Sequence, residues 1–70
     1  MPFVSIKYVK ENIAADPAGK QARMADKVAE AIAAEMGIAK DAVWVAFEGI
    51  AAADFYVGAD SVATRRAQKA

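Results

Sequence analysis

Asp16-Pro17-Ala18-Gly19-Lys20-Gln21-Ala22-Arg23-Met24-Ala25-Asp26-Lys27-Val28-Ala29-Glu30-Ala31-Ile32-Ala33-Ala34-Glu35-Met36-Gly37 is the stretch that decides how this chain is organised. Met24, Val28, Ile32 and Met36 recur every four residues with Ala25, Ala29 and Ala31 beside them, which makes an apolar stripe on one side of a helix. Lys20, Arg23, Asp26, Lys27 and Glu30 fall mostly off the stripe. Asp16 offers an N-cap carboxylate, and Pro17 takes the first helical position, where a missing N–H costs nothing. Gly37 offers a C-cap that tolerates positive φ, so the spacing predicts a helix ending near Met36, about five turns long. Gln21 and Glu35 fall inside the stripe, each close to a helix end from which a side chain reaches water.

Strand patterns flank this helix. Phe3-Val4-Ser5-Ile6-Lys7-Tyr8-Val9 is rich in β-branched and aromatic residues, with Val4, Ile6 and Tyr8 on one face and the mixed set Phe3, Ser5, Lys7 and Val9 on the other. Lys10 to Ala15 reads as a connecting loop and Ile38 to Asp41 as a short link. Ala42-Val43-Trp44-Val45-Ala46-Phe47-Glu48 then reads as a second strand, with Val43, Val45 and Phe47 opposed to Trp44, Ala46 and Glu48. Strand, long helix and strand with short links make a β-α-β unit of the α/β (α+β) class, with the two strands parallel. One helix covers one face of the sheet. The other face, bearing Phe3 and Trp44, is left for a neighbouring subunit.

Gly49 to Gly58 suits a turn and a short strand or hairpin, Phe55-Tyr56-Val57 being its β-prone part. Ala59 to Ala70 is a weakly basic tail expected to fray. There is no internal repeat, and residues 1–70 read as a single domain.

Seventy residues bury too little surface to be comfortably stable alone. Cysteine and histidine are both absent, so neither a disulfide nor an ordinary zinc site reinforces the fold, and no metal is expected. With 57% apolar residues, many of them alanine, oligomerisation is the expected aid. Nine basic and nine acidic residues cancel, which argues against a nucleic-acid partner. No apolar run approaches a membrane span and no signal-peptide pattern opens the chain, so the expectation is a cytoplasmic protein with no membrane partner. The same absences close the Ser-His-Asp, Cys-His and transition-metal classes of enzyme. Gly19, Gly37, Gly49 and Gly58 form no phosphate-cradling or dinucleotide loop, so no cofactor is expected.

Pro2 carries the chemical possibility. Removal of Met1 leaves it with a free secondary amine at the start of the first strand. An ordinary α-amino group titrates near pH ~8, and apolar or cationic surroundings lower that value by disfavouring the charged form. A base poised near neutrality suits proton transfer.

Met1-Pro2 ahead of a first strand, Val28-Ala29-Glu30-Ala31-Ile32 in the helix, Ala42-Val43-Trp44-Val45 in the second strand, and Phe55 with Gly58 near the end occur together in one order. In that order and spacing the chain resembles the tautomerase superfamily, specifically the short 4-oxalocrotonate tautomerase group, over nearly its whole length. The resemblance implies a β-α-β subunit that dimerises and assembles into a hexamer as a trimer of dimers. It implies that Pro2 moves a proton between oxygen and carbon of an enol or dienol without a cofactor. It also implies that arginines bind the substrate's carboxylate and carbonyl groups and that Phe55 keeps the pocket apolar.

The departures concern anion binding. Where the family carries a loop arginine after the first strand, this chain reads Lys10-Glu11-Asn12-Ile13-Ala14-Ala15, a longer loop without arginine. Trp44 stands where the family commonly has its second substrate-binding arginine, and an indole donates one N–H without charge. A guanidinium grips a carboxylate through two charge-assisted bonds, so loss of both arginines weakens binding of a dicarboxylate. Lys7, Lys10 and Lys40 are candidate replacement cations, although Lys7 pairs with Glu48 if their strands are neighbours in register. Asn12 offers a neutral amide from the loop or bonds its own backbone. Arg65 and Arg66 either cap a neighbour's site or lie solvated in the tail. Glu48 is a lone strand carboxylate, in reach of acid-base work or simply exposed.

The expected function is therefore isomerisation by a 4-oxalocrotonate tautomerase-like enzyme, with Pro2 as general base and Trp44, Phe55, Lys7 and Asn12 around the pocket. The substrate is a small enol or unsaturated carbonyl compound, and the protein is a homo-oligomer, dimer or hexamer. Three alternatives stand beside it: a subunit of a mixed hexamer whose other chain supplies arginines, a related hydratase or dehalogenase using a protonated proline, and a non-catalytic oligomeric binding protein of the same fold. A retained Met1 makes the Pro2 nitrogen a tertiary amide and removes the base.

Overall fold

The long helix, α1, runs from Pro17 to Met36 as its pattern predicts. Asp16 accepts the Gly19 N–H at 3.2 Å and lies 3.5 Å from the Arg23 guanidinium. At the other end Gly37 takes φ 67°, the left-handed conformation that lets both its own N–H and that of Ile38 turn back onto the Ala33 carbonyl. The structure, a computed structural model, describes residues 1–69.

Strand β1 (Phe3–Val9) and strand β2 (Trp44–Ile50) pair in parallel, with Phe3 opposite Trp44, Lys7 opposite Glu48 and Val9 opposite Ile50. The sequence pattern placed the second strand two residues earlier. Lys40–Ala42 instead forms a 3-10 turn, and Val43 still donates to the Lys40 carbonyl at 3.1 Å, so sheet pairing begins only where Phe3 offers a partner. Lys10–Ile13, read as loop, is a second 3-10 turn.

Helix α1 lies on the sheet face that carries Val43 and Val45. Ala29, Ala33 and Val43 form the buried cluster, with Ile32, Ile38 and Val45 packed against it. The most buried helix positions are alanines because the helix approaches the strands closely there, whereas Ala31, read as part of the stripe, and Met36 at its end are exposed. Gln21 does not escape to water as its helix-end position suggested; its amide donates to the Tyr8 hydroxyl at 2.6 Å. The Tyr8 ring in turn meets Phe47 edge-on at 6.2 Å. A polar residue inside the stripe is thus matched to the polar end of an aromatic one.

The C-terminal segment departs most from expectation. Strands β3 (Tyr56–Val57) and β4 (Asp60–Ser61) form a small hairpin around Gly58, at φ 62°. The tail then forms helix α2 (Val62–Lys69) in place of a frayed end. Ser61 caps it: its Oγ accepts the Thr64 N–H at 3.1 Å and donates to the Thr64 hydroxyl at 3.0 Å. Ala70 lies outside the described residues.

The chain is a small α+β unit, with a parallel two-stranded sheet, one long helix and a short C-terminal hairpin and helix. It is thin and open, measuring 45 × 26 × 16 Å with a radius of gyration of 15.1 Å. A compact globule of this length has about 11 Å. Its accessible surface is 4940 Å², against roughly 4200 Å² for a folded monomer of the same mass. Among the described residues no large side chain is fully buried, while Phe3 is 65% and Trp44 57% exposed. No helix among them is long and apolar enough to cross a membrane.

Candidate active site

Parallel pairing sorts the candidate residues into two groups. Pro2 and Trp44 lie where both strands begin. Asn12 follows the end of β1, and Phe55 follows the end of β2, so the groups are separated by the length of seven-residue strands, roughly 20 Å. Within one chain the expected wall of Phe55 beside Pro2 is therefore not formed. Trp44 is brought next to the proline.

At the strand-start end, the Pro2 carbonyl accepts the Trp44 N–H at 3.1 Å, which continues the sheet ladder one step beyond Phe3. Pro2 is half-buried, whereas Met1 stands 83% exposed. Trimming Met1 thus uncovers the proline nitrogen without opening the packing. Phe3 and Trp44 sit side by side on the helix-free face, both exposed. Lys40 precedes β2 at this same end, but Asp26 of α1 holds it in an ion pair. The hydrogen bond to Asp26, foremost, raises the Lys40 pKa above its ordinary value.

Along the same face Lys7 lies 4.0 Å from Glu48, both side chains 63% exposed. The register that allows this pair exists, so Lys7 is bound first to a carboxylate on its own sheet. At that separation and exposure the pair contributes little.

The strand-finish end is polar and internally bonded. Glu11 accepts the Ala52 N–H at 2.9 Å and so ties the turn after β1 to the 3-10 turn at Ala52–Asp54 after β2. That hydrogen bond is the main reason the Glu11 carboxyl lies below the usual carboxylate value. Asn12 does not bond its own backbone; its amide oxygen accepts from the Arg66 guanidinium at 2.6 Å. Phe55 is half-buried, and its carbonyl accepts the Val62 N–H at 2.7 Å, at the root of α2. Arg66, left open between a neighbour's site and a solvated tail, is fixed beside Asn12 by a helix that the sequence pattern did not disclose. The signal was Ser61 three residues before Thr64, a capping spacing ahead of helix-forming residues.

Two concavities flank the sheet. One of about 650 Å³ lies between α1 and β2, bordered by Ala22, Ala25, Ala29 and Val45. The other, about 430 Å³, lies at the strand-finish end beside Tyr8, Lys10, Glu11 and Pro17. Pro2 borders neither of them; alternation from Phe3 puts it on the Val4 and Val45 side of the sheet, the side α1 covers. No group of three or more potential metal ligands occurs among the described residues. No protein-family model, curated protein or solved structure matches the chain.

Proposed function

We propose that this chain is the subunit of an oligomeric, cofactor-independent tautomerase in which Pro2, freed of Met1, is the general base. The observation that carries the reading is the setting of Pro2: half-buried at the start of the sheet, anchored by its carbonyl to the Trp44 N–H, and preceded by a protruding Met1. A catalytic amine needs a fixed position and partial removal from water, and this setting supports both once Met1 is removed. The resemblance to 4-oxalocrotonate tautomerase-like subunits supports the same assignment.

The chemistry is a proton relay. The neutral Pro2 nitrogen accepts the enol O–H proton as electron density shifts toward carbon, and the resulting ammonium returns that proton to the carbon, leaving a ketone and the neutral amine. Partial burial of Pro2 disfavours the intermediate ammonium and favours return of the base to its neutral state.

Assembly completes the site. In a partner running antiparallel, the strand-finish end carrying Phe55 and Asn12 meets the strand-start end carrying Pro2. The open shape, the excess surface and the exposed Phe3 and Trp44 support such covering. Lacking the family's two arginines, the enzyme takes a monocarboxylate in preference to a diacid.

A second reading follows from the cations. On the helix side Lys40 is held by Asp26, and on the helix-free face Lys7 lies 4.0 Å from Glu48. That favours a mixed assembly in which another chain brings the anion-binding groups, or a binding protein without turnover. Intact mass of the purified protein, followed by ketonisation of phenylenolpyruvate and 2-hydroxymuconate, separates these. A mass without methionine and faster turnover of the monoacid support the homo-oligomeric enzyme. A trimmed protein inactive on both compounds sinks it in favour of the second reading.

A further inference from the structure

The chain lacks an arginine in the loop after β1, yet a guanidinium stands there. Helix α2 carries Arg66 back across the molecule to Asn12, a residue 54 positions earlier in sequence, and one Nη donates to the Asn12 amide oxygen at 2.6 Å. From this we infer that Arg66 is the carboxylate-binding residue of the site, delivered by the C-terminal helix and held by Asn12. The inference rests on the tautomerase reading for its substrate, a small unsaturated monocarboxylate.

Three features of the structure support it. First, the partner of Arg66 is a neutral amide that occupies one of five N–H donors, and among the described residues no carboxylate lies within ion-pair distance of it. Its charge and the fork of its guanidinium stay available for a two-point grip on a carboxylate. Second, Glu11, an acid that Arg66 acts on through space, is already engaged. Glu11 accepts the Ala52 N–H, and Lys10 and Arg66 both act on it through space to favour its charged form. Third, the helix that carries Arg66 begins at the Phe55 carbonyl through Val62 and is capped by Ser61, so the guanidinium and the Phe55 backbone share one support. Asn12 is a positioning residue in this arrangement: it sets the guanidinium without taking up its charge.

The test uses trans-cinnamate, an unreactive unsaturated monoacid, and cinnamamide, its neutral counterpart, titrated by NMR into the Met1-trimmed full-length protein. Arg66→Gln is expected to weaken cinnamate binding by about tenfold or more while leaving cinnamamide unchanged. Arg65→Gln, which removes the same charge from the same helix, is expected to leave both unchanged. Arg66→Lys restores part of the cinnamate affinity, since it keeps the charge and loses the fork. With phenylenolpyruvate, Asn12→Ala raises KM and preserves kcat. Equal weakening of cinnamate by the Arg65 and Arg66 substitutions, or the absence of saturable cinnamate binding, overturns the inference. Turnover of phenylenolpyruvate with a KM indifferent to Arg66→Gln overturns it too, while leaving Pro2 catalysis standing. Arg66-dependent cinnamate binding in a trimmed protein without turnover supports the anion site and removes the tautomerase reading instead.

Discussion

The two ends of the β1/β2 sheet are built differently. Where the strands start, Pro2 and Trp44 are joined by a single backbone bond, and Phe3 and Trp44 lie open to solvent. Where they finish, Glu11 holds Ala52, Asn12 holds Arg66, Gln21 holds Tyr8, and Ser61 caps α2. The chain completes the second end with its own side chains and leaves the first incomplete. An exposed aromatic pair is stable in water only at a free-energy cost that a covering surface removes, whereas a hydrogen-bonded polar cluster needs no cover. The roles proposed above follow this difference: the base is proposed at the bare end, where a neighbour would cover it, and the ligand's charged part at the bonded end.

The largest expected effect breaks the contrast at its bare end. Pro2→Ala is expected to lower kcat for phenylenolpyruvate by ~10²-fold or more, with the assembly unchanged by light scattering, since a positioned base contributes that much. Unaltered turnover would show that the bare end does no chemistry. Trp44→Arg makes this end resemble the bonded one by adding a charged fork beside Pro2. It is expected to lower KM for 2-hydroxymuconate about tenfold with little change for the monoacid. An equal effect on both compounds would disconnect position 44 from anion selection.

Smaller effects belong to the bonded end. Ser61→Ala removes the cap of α2, at a cost of ~1 kcal/mol, and lowers the melting midpoint by about 4–8 °C. An unchanged midpoint would mean that α2 is held by its packing alone. The smallest concerns Glu11. Its folded pKa lies below the ordinary value of 4.5, chiefly through the Ala52 N–H. The stability it contributes is therefore present above that value and is lost as pH falls through the lowered one. Denaturation midpoints measured at pH 6 and pH 3 should lie closer together in Glu11→Gln than in the parent protein. An identical gap would remove Glu11 from the acid response.

Much of the fold was legible before any coordinates. The α1 boundaries followed from Asp16, Pro17, Met36 and Gly37 because caps and a four-residue apolar repeat act locally. The alternation in β1 matched its burial, and the pairing of Lys7 with Glu48 followed once the strands were taken as neighbours in register. The start of β2 was misplaced because Val43 continues the alternation of the strand, yet its N–H is taken by the Lys40 carbonyl in the 3-10 turn. Helix α2 was missed because a short, charged, alanine-containing segment is a weak helix alone and gains its order from Ser61 and from packing.

The candidate site divides along the same line. Residue identity and position were enough to name Pro2, Phe55 and Trp44 as candidates, because a basic amine and apolar rings are properties of the residues themselves. Only tertiary structure decided that Trp44 adjoins Pro2, that Phe55 stands at the far end, and that Arg66 reaches Asn12. Local rules reach a few residues along the chain. Strand direction and helix docking set distances between residues that the chain itself keeps 40 or 50 positions apart, and those distances determine which side chains can act on one ligand.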